Sequence, residues 1–333
     1  MTPKILVTGG TGLLGSYLLR HFGQLGYSDL TSTFQGNSQL IPNDLKEGIE
    51  WKTLRLPDIQ DTSDIIKGKD WVVHSAGLIS YHAGDKDKLL AVNQHGTKHI
   101  VNACLEHDVK HLVYIGSIGA LGKEKNFATV NESASWLDNE FSTTYGLSKY
   151  LGELEAWRGA TEGLHVSTIL PSVILGTGDW HRSSLQLIDR VANKPGWYPT
   201  GQTGYVDVRD ISRFISMILE QNKTGERWIL NAENIPYQKI YLMISDALGL
   251  KKQFRPAPKW LAKIILRSAG IIKGKPLGME VLHSAYGSFS YDNSKSLQME
   301  GFSYRPMKET IREIAEIFET GDSDKVLGQG ILI

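Results

Sequence analysis

Residues 4–15 of the chain are Lys4-Ile5-Leu6-Val7-Thr8-Gly9-Gly10-Thr11-Gly12-Leu13-Leu14-Gly15. The apolar, β-branched start of this stretch predicts a buried strand, and the apolar spacing of the residues that follow predicts a helix. Gly9, Gly12 and Gly15 lie in the turn between them. They permit a tight turn, close approach of a pyrophosphate, and close packing of the helix on the strand. The free N–H groups at the helix N-terminus favour phosphate, so the stretch predicts a dinucleotide-binding turn.

Short apolar runs recur along the chain and alternate with stretches of helical spacing. They lie at residues 4–8, 30–34, 71–75, 111–116 and 166–170, and another is predicted at 228–232. Such alternation predicts a parallel sheet covered by helices on both faces. The fold class is therefore predicted to be α/β, with a Rossmann-type doubly wound parallel sheet.

The second part of the chain is less regular and predicts a smaller, discontinuous C-terminal substrate lobe. Residues 178–203, rich in Trp, Pro and Gly, indicate its start, and the segment from Tyr205 to Asp210 returns to the sheet. We expect the nucleotide-binding domain to comprise residues 1–176 and 204–232. The lobe is expected to comprise residues 177–203 and 233–333.

The composition of the chain restricts its function. Lysine and arginine number 36 and so do aspartate and glutamate, so bulk charge does not indicate a nucleic-acid partner. The single cysteine, Cys104, excludes an intrachain disulfide, and its apolar helical surroundings predict a buried side chain. The histidines lack metal-ligand spacing, so no metal is predicted. The first strand begins at residue 4 and no apolar run approaches the ~20 residues of a membrane span, which predicts a cytoplasmic protein without an integral membrane segment.

Tyr145 and Lys149 lie four residues apart in a stretch with helical spacing. On a helix their side chains share one face. An ammonium near a phenol favours the phenolate, so we expect Lys149 to lower the pKa of Tyr145 toward the range of a general acid or base.

The glycine-rich start and the Tyr-x-x-x-Lys pattern together resemble the extended short-chain dehydrogenase/reductase superfamily, also described as the NAD-dependent epimerase/dehydratase family. Further segments are similar to motifs of that family, in the family's order. They are Leu56-Pro57-Asp58-Ile59, Val72-Val73-His74-Ser75-Ala76-Gly77, Val92-Asn93-Gln94-His95-Gly96-Thr97 and Tyr114-Ile115-Gly116-Ser117-Ile118-Gly119-Ala120-Leu121-Gly122. The resemblance covers residues 4 to about 235.

The resemblance implies a nicotinamide cofactor and four catalytic residues. Tyr145 is expected to donate or accept the proton of the reacting oxygen, and Ser117 to hydrogen-bond that oxygen. Lys149 is expected to bind the nicotinamide ribose, and Asn93 to hold a water that relays protons to Lys149. The cofactor-binding residues it implies are Gly9, Thr11, Gly12, Leu13, Leu14, Gly15, Gln35, Asn37, Ser38, Asp58, Ile59, Ser75, Ala76, Gly77, Lys149, Pro171 and Val173.

The choice between NADP and NAD depends on the residue that follows the second predicted strand. That residue is Gln35, whereas a carboxylate there selects NAD and an arginine accommodates the 2′-phosphate of NADP. Neither is present. Because no carboxylate repels the 2′-phosphate, and Asn37 and Ser38 can donate hydrogen bonds to it, the sequence favours NADP(H) over NAD(H).

One departure from a family pattern and one further similarity narrow the expected reaction. Dehydratases of the family carry an Asp-Glu pair after the serine, where this chain has Ile118 and Gly119. Residues 171–180 are similar to the dihydroflavonol 4-reductase and 3β-hydroxysteroid dehydrogenase branch. The resemblance therefore implies an oxidoreductase that interconverts a carbonyl and an alcohol on a small, fairly apolar or aromatic substrate. A sugar-nucleotide epimerase and a non-catalytic nucleotide-binding redox sensor remain alternatives.

Aromatic residues and histidine are candidates to line the substrate pocket, and aromatic walls would suit an apolar substrate. The candidates are Tyr81, His82, Phe141, Trp180 and Tyr205. The alternative for the tryptophans of the lobe is that they fill its core. The basic, amphipathic residues 251–275 are expected to cover the pocket, and the alternative is contact with an anionic membrane surface. The chain is expected to be a monomer or a homodimer.

Overall fold

The computed structural model describes residues 2–56, 58–124, 129–180, 183–194, 196–264 and 278–320. Its strands are β1 (Ile5–Thr8), β2 (Leu30–Phe34), β3 (Glu50–Thr53), β4 (Trp71–His74), β5 (His111–Ile115), β6 (Val166–Pro171), β7 (Val173–Leu175), β8 (Trp197–Tyr198), β9 (Gln202–Asp207), β10 (Glu226–Leu230), β11 (Glu233–Pro236) and β12 (Arg255–Pro256). Seven of them form one parallel sheet in the order β10-β6-β5-β4-β1-β2-β3. The predicted doubly wound parallel sheet is confirmed.

Helices cover both faces of this sheet. The helices of the described residues include α1 (Leu13–Gln24), α2 (Ile59–Ile66), α3 (Lys86–Leu89), α4 (Gly96–Glu106), α5 (Thr144–Thr161), α6 (Gln186–Asn193), α7 (Val208–Glu220), α8 (Tyr237–Ala247), α9 (Met279–Tyr286), α10 (Ser294–Leu297) and α11 (Met307–Thr320), and a π-helix spans Leu90–His95. The apolar sides of α1 and α7 share one buried cluster with the sheet. Those of α2, α4 and α5 share another, which includes the buried Cys104.

A second group of elements lies beside the sheet. Strands β7, β9 and β11 form a three-stranded sheet, and β8 pairs with β12. Helices α6, α8 and α11 pack with these strands around a core of their own. The division of the chain into two domains at the residues given above stays a prediction.

Strand β3 at the edge of the large sheet was not predicted. Three of its four residues are exposed, so it lacks the apolar run that marks the central strands. Its backbone pairs with β2, and the Trp51 indole donates to the Leu45 carbonyl at 2.7 Å. The strand predicted at 228–232 begins and ends two residues earlier, at Glu226 and Leu230.

The basic stretch 251–275 is described only as far as residue 264, and residues 265–275 lie outside the described part. Residues 259–264 are helical, and Trp260 and Ile264 are 65% and 55% exposed. These two side chains therefore do not form the buried pocket cover that the amphipathic pattern predicted. No helix within the described residues is long and apolar enough to cross a membrane.

Substitutions in α1 test the packing of its first turn on β1. A Cβ on Gly15 would come within 2.8 Å of the Gly9 carbonyl carbon and 2.9 Å of Gly10 Cα, whereas one on Gly23 would meet nothing within 4 Å. We predict that Gly15→Ala lowers the free energy of unfolding by about 1–3 kcal/mol, since the backbone must shift. Gly23→Ala, the matched control, should raise it by about 0.5–1 kcal/mol through helix propensity. Urea unfolding measures both, and equal effects would contradict the packing described.

Candidate active site

The glycine-rich turn leaves space for a phosphate where the nucleotide is predicted to bind. Gly9 has φ of +75°, and a Cβ on it would lie 2.8 Å from Ala76 Cα, so the turn packs directly on the segment after β4. Gly12 is the N-cap of α1 and is exposed. A Cβ on it would meet only the Gly9 carbonyl oxygen, at 3.2 Å. The first turn of α1 has no acidic residue and no side-chain cap, so its N–H groups are available to an anion. The turn therefore fits a pyrophosphate.

A chain of buried hydrogen bonds runs from this turn to Asn93. The His74 ring contacts Thr8 Oγ1 through Nδ1 at 2.9 Å and Thr97 Oγ1 through Nε2 at 3.1 Å. The Thr97 hydroxyl donates to the Asn93 carbonyl at 2.6 Å, so it must accept from His74 Nε2. Burial lowers the pKa of His74 to about 3. The imidazole is therefore neutral, carries its hydrogen on Nε2, and fixes the Thr8 hydroxyl as a donor.

Asn93 lies in the π-helix and is buried. Its amide accepts from the Leu78 N–H at 2.8 Å, and donates to the Leu78 carbonyl at 2.9 Å and to Ser148 Oγ at 2.8 Å. The Ser148 hydroxyl in turn donates to the Tyr145 carbonyl at 2.7 Å. One side chain therefore connects the loop after β4 to the helix that carries Tyr145. A π-helical turn is common where a side chain has to be aimed at a site.

Ser117, Tyr145 and Lys149 come together at the carboxyl end of β5. Ser117 Oγ accepts from the Gly119 N–H at 3.0 Å and lies close enough to the Tyr145 phenol to lower the pKa of that phenol. Lys149 is 5% exposed, and its ammonium lies 4.8 Å from the centre of the Tyr114 ring. A Cβ on Gly77 would lie 3.1 Å from Asn93 Oδ1 and 3.5 Å from Lys149 Nζ. The four predicted catalytic side chains therefore lie near one another at the carboxyl ends of β4 and β5.

The expected lowering of the Tyr145 pKa is not observed. Burial raises the pKa of Tyr145, Tyr81 raises it further, and only the hydrogen bond with Ser117 opposes them. Burial also lowers the pKa of Lys149 to about 8, against the opposing charge of Glu153. The expectation was wrong because four-residue spacing gives proximity, whereas the loss of water around both groups disfavours their charged forms.

Most predicted cofactor residues lie at the carboxyl edge of the large sheet, in the segments that follow its strands. Asp58 caps α2, accepting from the Gln60 and Asp61 N–H groups at 3.0 and 3.2 Å, and the neighbouring Pro57 lies outside the described residues. Asn37 Oδ1 likewise accepts from the Gln39 N–H at 2.9 Å. The others extend around the turn and the strand ends: Thr11, Leu13 and Leu14 at α1, Gln35 and Ser38 after β2, Ile59 at the start of α2, Ser75 and Ala76 after β4, Pro171 at the end of β6, and Val173 in β7.

The five substrate candidates separate into two groups. The Tyr81 ring packs edge-to-face on Tyr145 with 5.8 Å between ring centres, and Phe141 packs on Phe289 at 5.2 Å near the start of α5. His82 follows Tyr81, and its buried Nδ1 has no hydrogen-bond partner among the described residues. Trp180 instead packs on Phe318, and Tyr205 is 1% exposed. Both belong to the lobe core, which the alternative interpretation held for the tryptophans, and the assignment of Tyr205 to the pocket was wrong because packing buries it.

Helix α9 reaches the rim of the site, which the sequence did not indicate. The Thr144 hydroxyl, next to Tyr145, donates to Glu280 at 3.2 Å. The Gly278 N–H donates to the Tyr81 carbonyl at 2.9 Å, and His283 Nδ1 lies 3.0 Å from the Glu140 carbonyl oxygen. These contacts join segments more than 130 residues apart, and no local pattern marks them.

Lys123, six residues after Ser117, is a buried lysine that the sequence patterns did not indicate. Lys123 is 9% exposed, and its ammonium lies 5.5 Å from the centre of the Phe289 ring. No described residue forms an ion pair or hydrogen bond with that ammonium. Burial lowers its pKa to about 8. An aromatic face offsets only part of the cost of burying a cation.

Comparison with known proteins agrees with this geometry. Residues 5–232 match the family described as NAD dependent epimerase/dehydratase. The chain belongs to this family. A relative named putative dihydroflavonol 4-reductase, from Synechocystis sp., is 27% identical and covers 96% of this chain and 95% of its own. Cinnamoyl-CoA reductase 1 of Petunia hybrida is 26% identical over 76% of this chain and 77% of its own.

Solved structures share the fold. UDP-glucose 4-epimerase from Thermotoga maritima, solved with UDP-glucose, superposes with a TM-score of 0.78. It is 17% identical, and the match covers 95% of this chain and 99% of that one. The likeness confirms the α/β fold of the epimerase/dehydratase family.

The buried Lys123 gives a pH-dependent prediction. Its pKa is lower in the folded chain than in the unfolded chain, where it is near 10.4, so the unfolded chain binds more protons between these values. The cost of burying the charge is complete below about pH 8 and is lost as the pH rises toward 10.4. We therefore predict that Lys123→Met raises the free energy of unfolding at pH 7 by up to about 3 kcal/mol.

Urea unfolding of the two proteins from pH 7 to 10 measures this difference, which should shrink steadily above about pH 8. Lys239→Met, at an exposed position of α8, is the control and should show no such trend. A difference that is constant with pH would contradict the burial of a charged Lys123.

Proposed function

We propose that the chain is an NAD(P)-dependent oxidoreductase that interconverts a carbonyl and an alcohol on a small, fairly apolar or aromatic substrate. The observation that carries this proposal is the closeness of the Ser117 hydroxyl to the Tyr145 phenol, beside the buried ammonium of Lys149. One substrate oxygen that enters there can contact a proton donor and a second hydrogen-bonding group. The glycine-rich turn supplies a fitting site for the nucleotide at the same edge of the sheet.

The chemistry follows from where charge develops. A bound nicotinamide would supply or accept the hydride. During reduction, negative charge grows on the carbonyl oxygen, and Tyr145 gives its proton to that oxygen. Burial raises the pKa of Tyr145, so the phenol carries its proton at neutral pH. Such general acid catalysis is typically worth about a hundredfold to ten-thousandfold.

Ser117 stabilises the same oxygen. Its Oγ already accepts from the Gly119 N–H at 3.0 Å, which leaves the hydroxyl hydrogen to donate toward Tyr145 or the substrate oxygen. Preorganised donors of this kind stabilise a developing oxyanion without reorganisation. Lys149, whose Nζ lies near Gly77, binds the nicotinamide ribose in this proposal and restores the Tyr145 proton.

The substrate class is inferred from the surroundings of Tyr145. The Tyr81 ring packs on Tyr145 and the Phe141 ring lies near the start of α5, and an apolar carbonyl compound suits such aromatic surroundings. The positions after Ser117 hold Ile118 and Gly119, which have no acid or base for dehydration. Curated relatives named dihydroflavonol 4-reductase and cinnamoyl-CoA reductase support a reductase.

The proposal predicts the effect of removing the phenol hydroxyl. Tyr145→Phe should lower the rate of NADPH or NADH consumption with aromatic, steroidal and aliphatic carbonyls at least a hundredfold, since the proton donor is lost. Cofactor binding, followed by quenching of protein fluorescence, should be nearly unchanged. Tyr150→Phe on the same helix is the control, because the Tyr150 ring stacks on Trp136 away from Ser117.

Each contrary outcome has a definite meaning. If wild-type protein binds cofactor and reduces none of the carbonyls, the oxidoreductase proposal fails, and an epimerase or a redox sensor takes its place. If turnover occurs and survives in Tyr145→Phe, the assignment of the proton donor is wrong.

Cofactor preference is proposed from Gln35, which is exposed immediately after β2. We propose that NADP(H) is favoured because no carboxylate stands at this position. Gln35→Asp should weaken NADPH binding about tenfold to a hundredfold by repelling the 2′-phosphate, with little effect on NADH. Gln238→Asp, exposed on α8, is the control. Calorimetric titration with both cofactors measures the effect, and equal losses for the two cofactors would contradict the proposed role of Gln35.

A further inference from the structure

A carboxylate is buried on the catalytic face of α5. Glu153 lies four residues after Lys149 and eight after Tyr145, so the three side chains share one face of the helix. Glu153 is 2% exposed. Its Oε1 accepts from the Trp157 indole at 3.2 Å and lies 3.4 Å from Arg227 Nε on β10. Its Oε2 is buried without a hydrogen-bond partner among the described residues.

Burying a carboxylate in this way lowers the free energy of unfolding, which is unexpected for a residue that only packs the helix on the sheet. A buried carboxylate normally has both oxygens satisfied, because desolvation of the charge is expensive. Burial raises the pKa of Glu153, and the charges of Arg227 and Lys149 oppose that shift. The carboxylate is thus stabilised by two cations, one of which is the proposed catalytic lysine.

Lys149 depends on Glu153 in the same way. Burial lowers its pKa to about 8, and the Glu153 charge is the influence that raises it. The other groups that face Lys149 carry no negative charge at neutral pH. They are the neutral His74 on β4, the Tyr114 ring on β5, the Asn93 amide of the π-helix, and Tyr145 itself.

The backbone around the pair is held rigidly. Gly152 lies between them, and a Cβ on it would lie 2.6 Å from the Tyr114 hydroxyl and would collide with the Asn93 carbonyl oxygen. The Tyr114 hydroxyl donates to the Lys149 carbonyl at 2.9 Å. Helix α5 therefore sits directly on β5 and the π-helix, and the separation of Glu153 from Lys149 cannot relax freely.

We propose that Glu153, held by Arg227 and Trp157, is a positioning residue whose buried negative charge keeps the Lys149 ammonium protonated at the pH at which Tyr145 works. Its catalytic consequence rests on the proposed oxidoreductase function, whereas the coupling of the two charges does not. Glu153 contacts neither substrate nor cofactor in this account and acts through Lys149.

The coupling can be measured without any substrate. The full-length protein is labelled with [6-¹³C]lysine, and the Lys149 signal is assigned by its absence in Lys149→Met. Titration from pH 6 to 11 then gives the proton affinity of Lys149. In Glu153→Gln, which keeps the side-chain size, that affinity should fall roughly threefold to tenfold. Glu155→Gln is the matched control on α5, since Glu155 pairs with Arg158 at 2.9 Å on the opposite side.

An unchanged Lys149 titration in folded Glu153→Gln would overturn the proposal. If that variant does not fold, Glu153→Gln combined with Arg227→Met avoids an unpaired guanidinium, and the same criterion applies to it. A merely structural role would change stability but not the titration.

Kinetic measurements separate the charge coupling of Glu153 and Lys149 from its effect on turnover. If the protein reduces carbonyls, the loss of activity at high pH should move to lower pH in Glu153→Gln by the same factor as the titration. A titration that shifts while the pH profile of turnover stays fixed would overturn the catalytic consequence. If no carbonyl is reduced, the proposed function fails, and the titration alone still decides whether Glu153 controls the charge of Lys149.

Discussion

The amide of Asn93 is the interaction on which the rest of the site depends. Its three hydrogen bonds, to both backbone groups of Leu78 and to Ser148, join the segment after β4 to the helix α5. Because α5 carries Tyr145 and Lys149, the amide places them relative to the cleft in which the dinucleotide is proposed to bind. Hydrogen bonds from Thr97 through His74 to Thr8 extend the same network to the start of the glycine-rich turn, which Thr8 directly precedes. Few of these groups could change without disturbing the others.

Burial of charge is the second constraint. Lys149, Glu153 and Lys123 are all withdrawn from water, and in each the neutral form is favoured relative to a free side chain. Apolar residues at these positions would give a higher free energy of unfolding. Stability is commonly given up where a protein needs a charge at a particular place, and the first two of these residues lie on the helix that carries the proposed acid.

Sequence patterns predicted the elements in which a single physical signal dominates. Buried parallel strands need continuous apolar runs, so the strands from β1 to β6 other than β3 were predicted within one or two residues. Strand β3 (Glu50–Thr53) was not predicted, because an edge strand is half solvated and carries polar residues. Ser117, Tyr145, Lys149 and Asn93 were selected by motif, and the structure places them together.

Other features of the site depend on contacts between distant segments. The raised pKa of Tyr145 follows from burial, which spacing along a helix cannot reveal. Glu280 reaches Thr144 across 136 residues, and Glu153 looks like an ordinary surface acid of a helix until Arg227 on β10 is seen beside it. Trp180 and Tyr205 were assigned to the pocket by their chemistry, whereas packing places them in the lobe core.

The most direct test of the central claim follows the hydride itself. Protein is incubated with an aromatic aldehyde and NADPH or NADH carrying deuterium at either face of C4, and the products are analysed by mass spectrometry. An oxidoreductase of the proposed kind gives an alcohol with one deuterium on the former carbonyl carbon from one of the two labelled faces. Bound cofactor that keeps its deuterium, with no labelled alcohol from either face for any aldehyde or ketone offered, would contradict it.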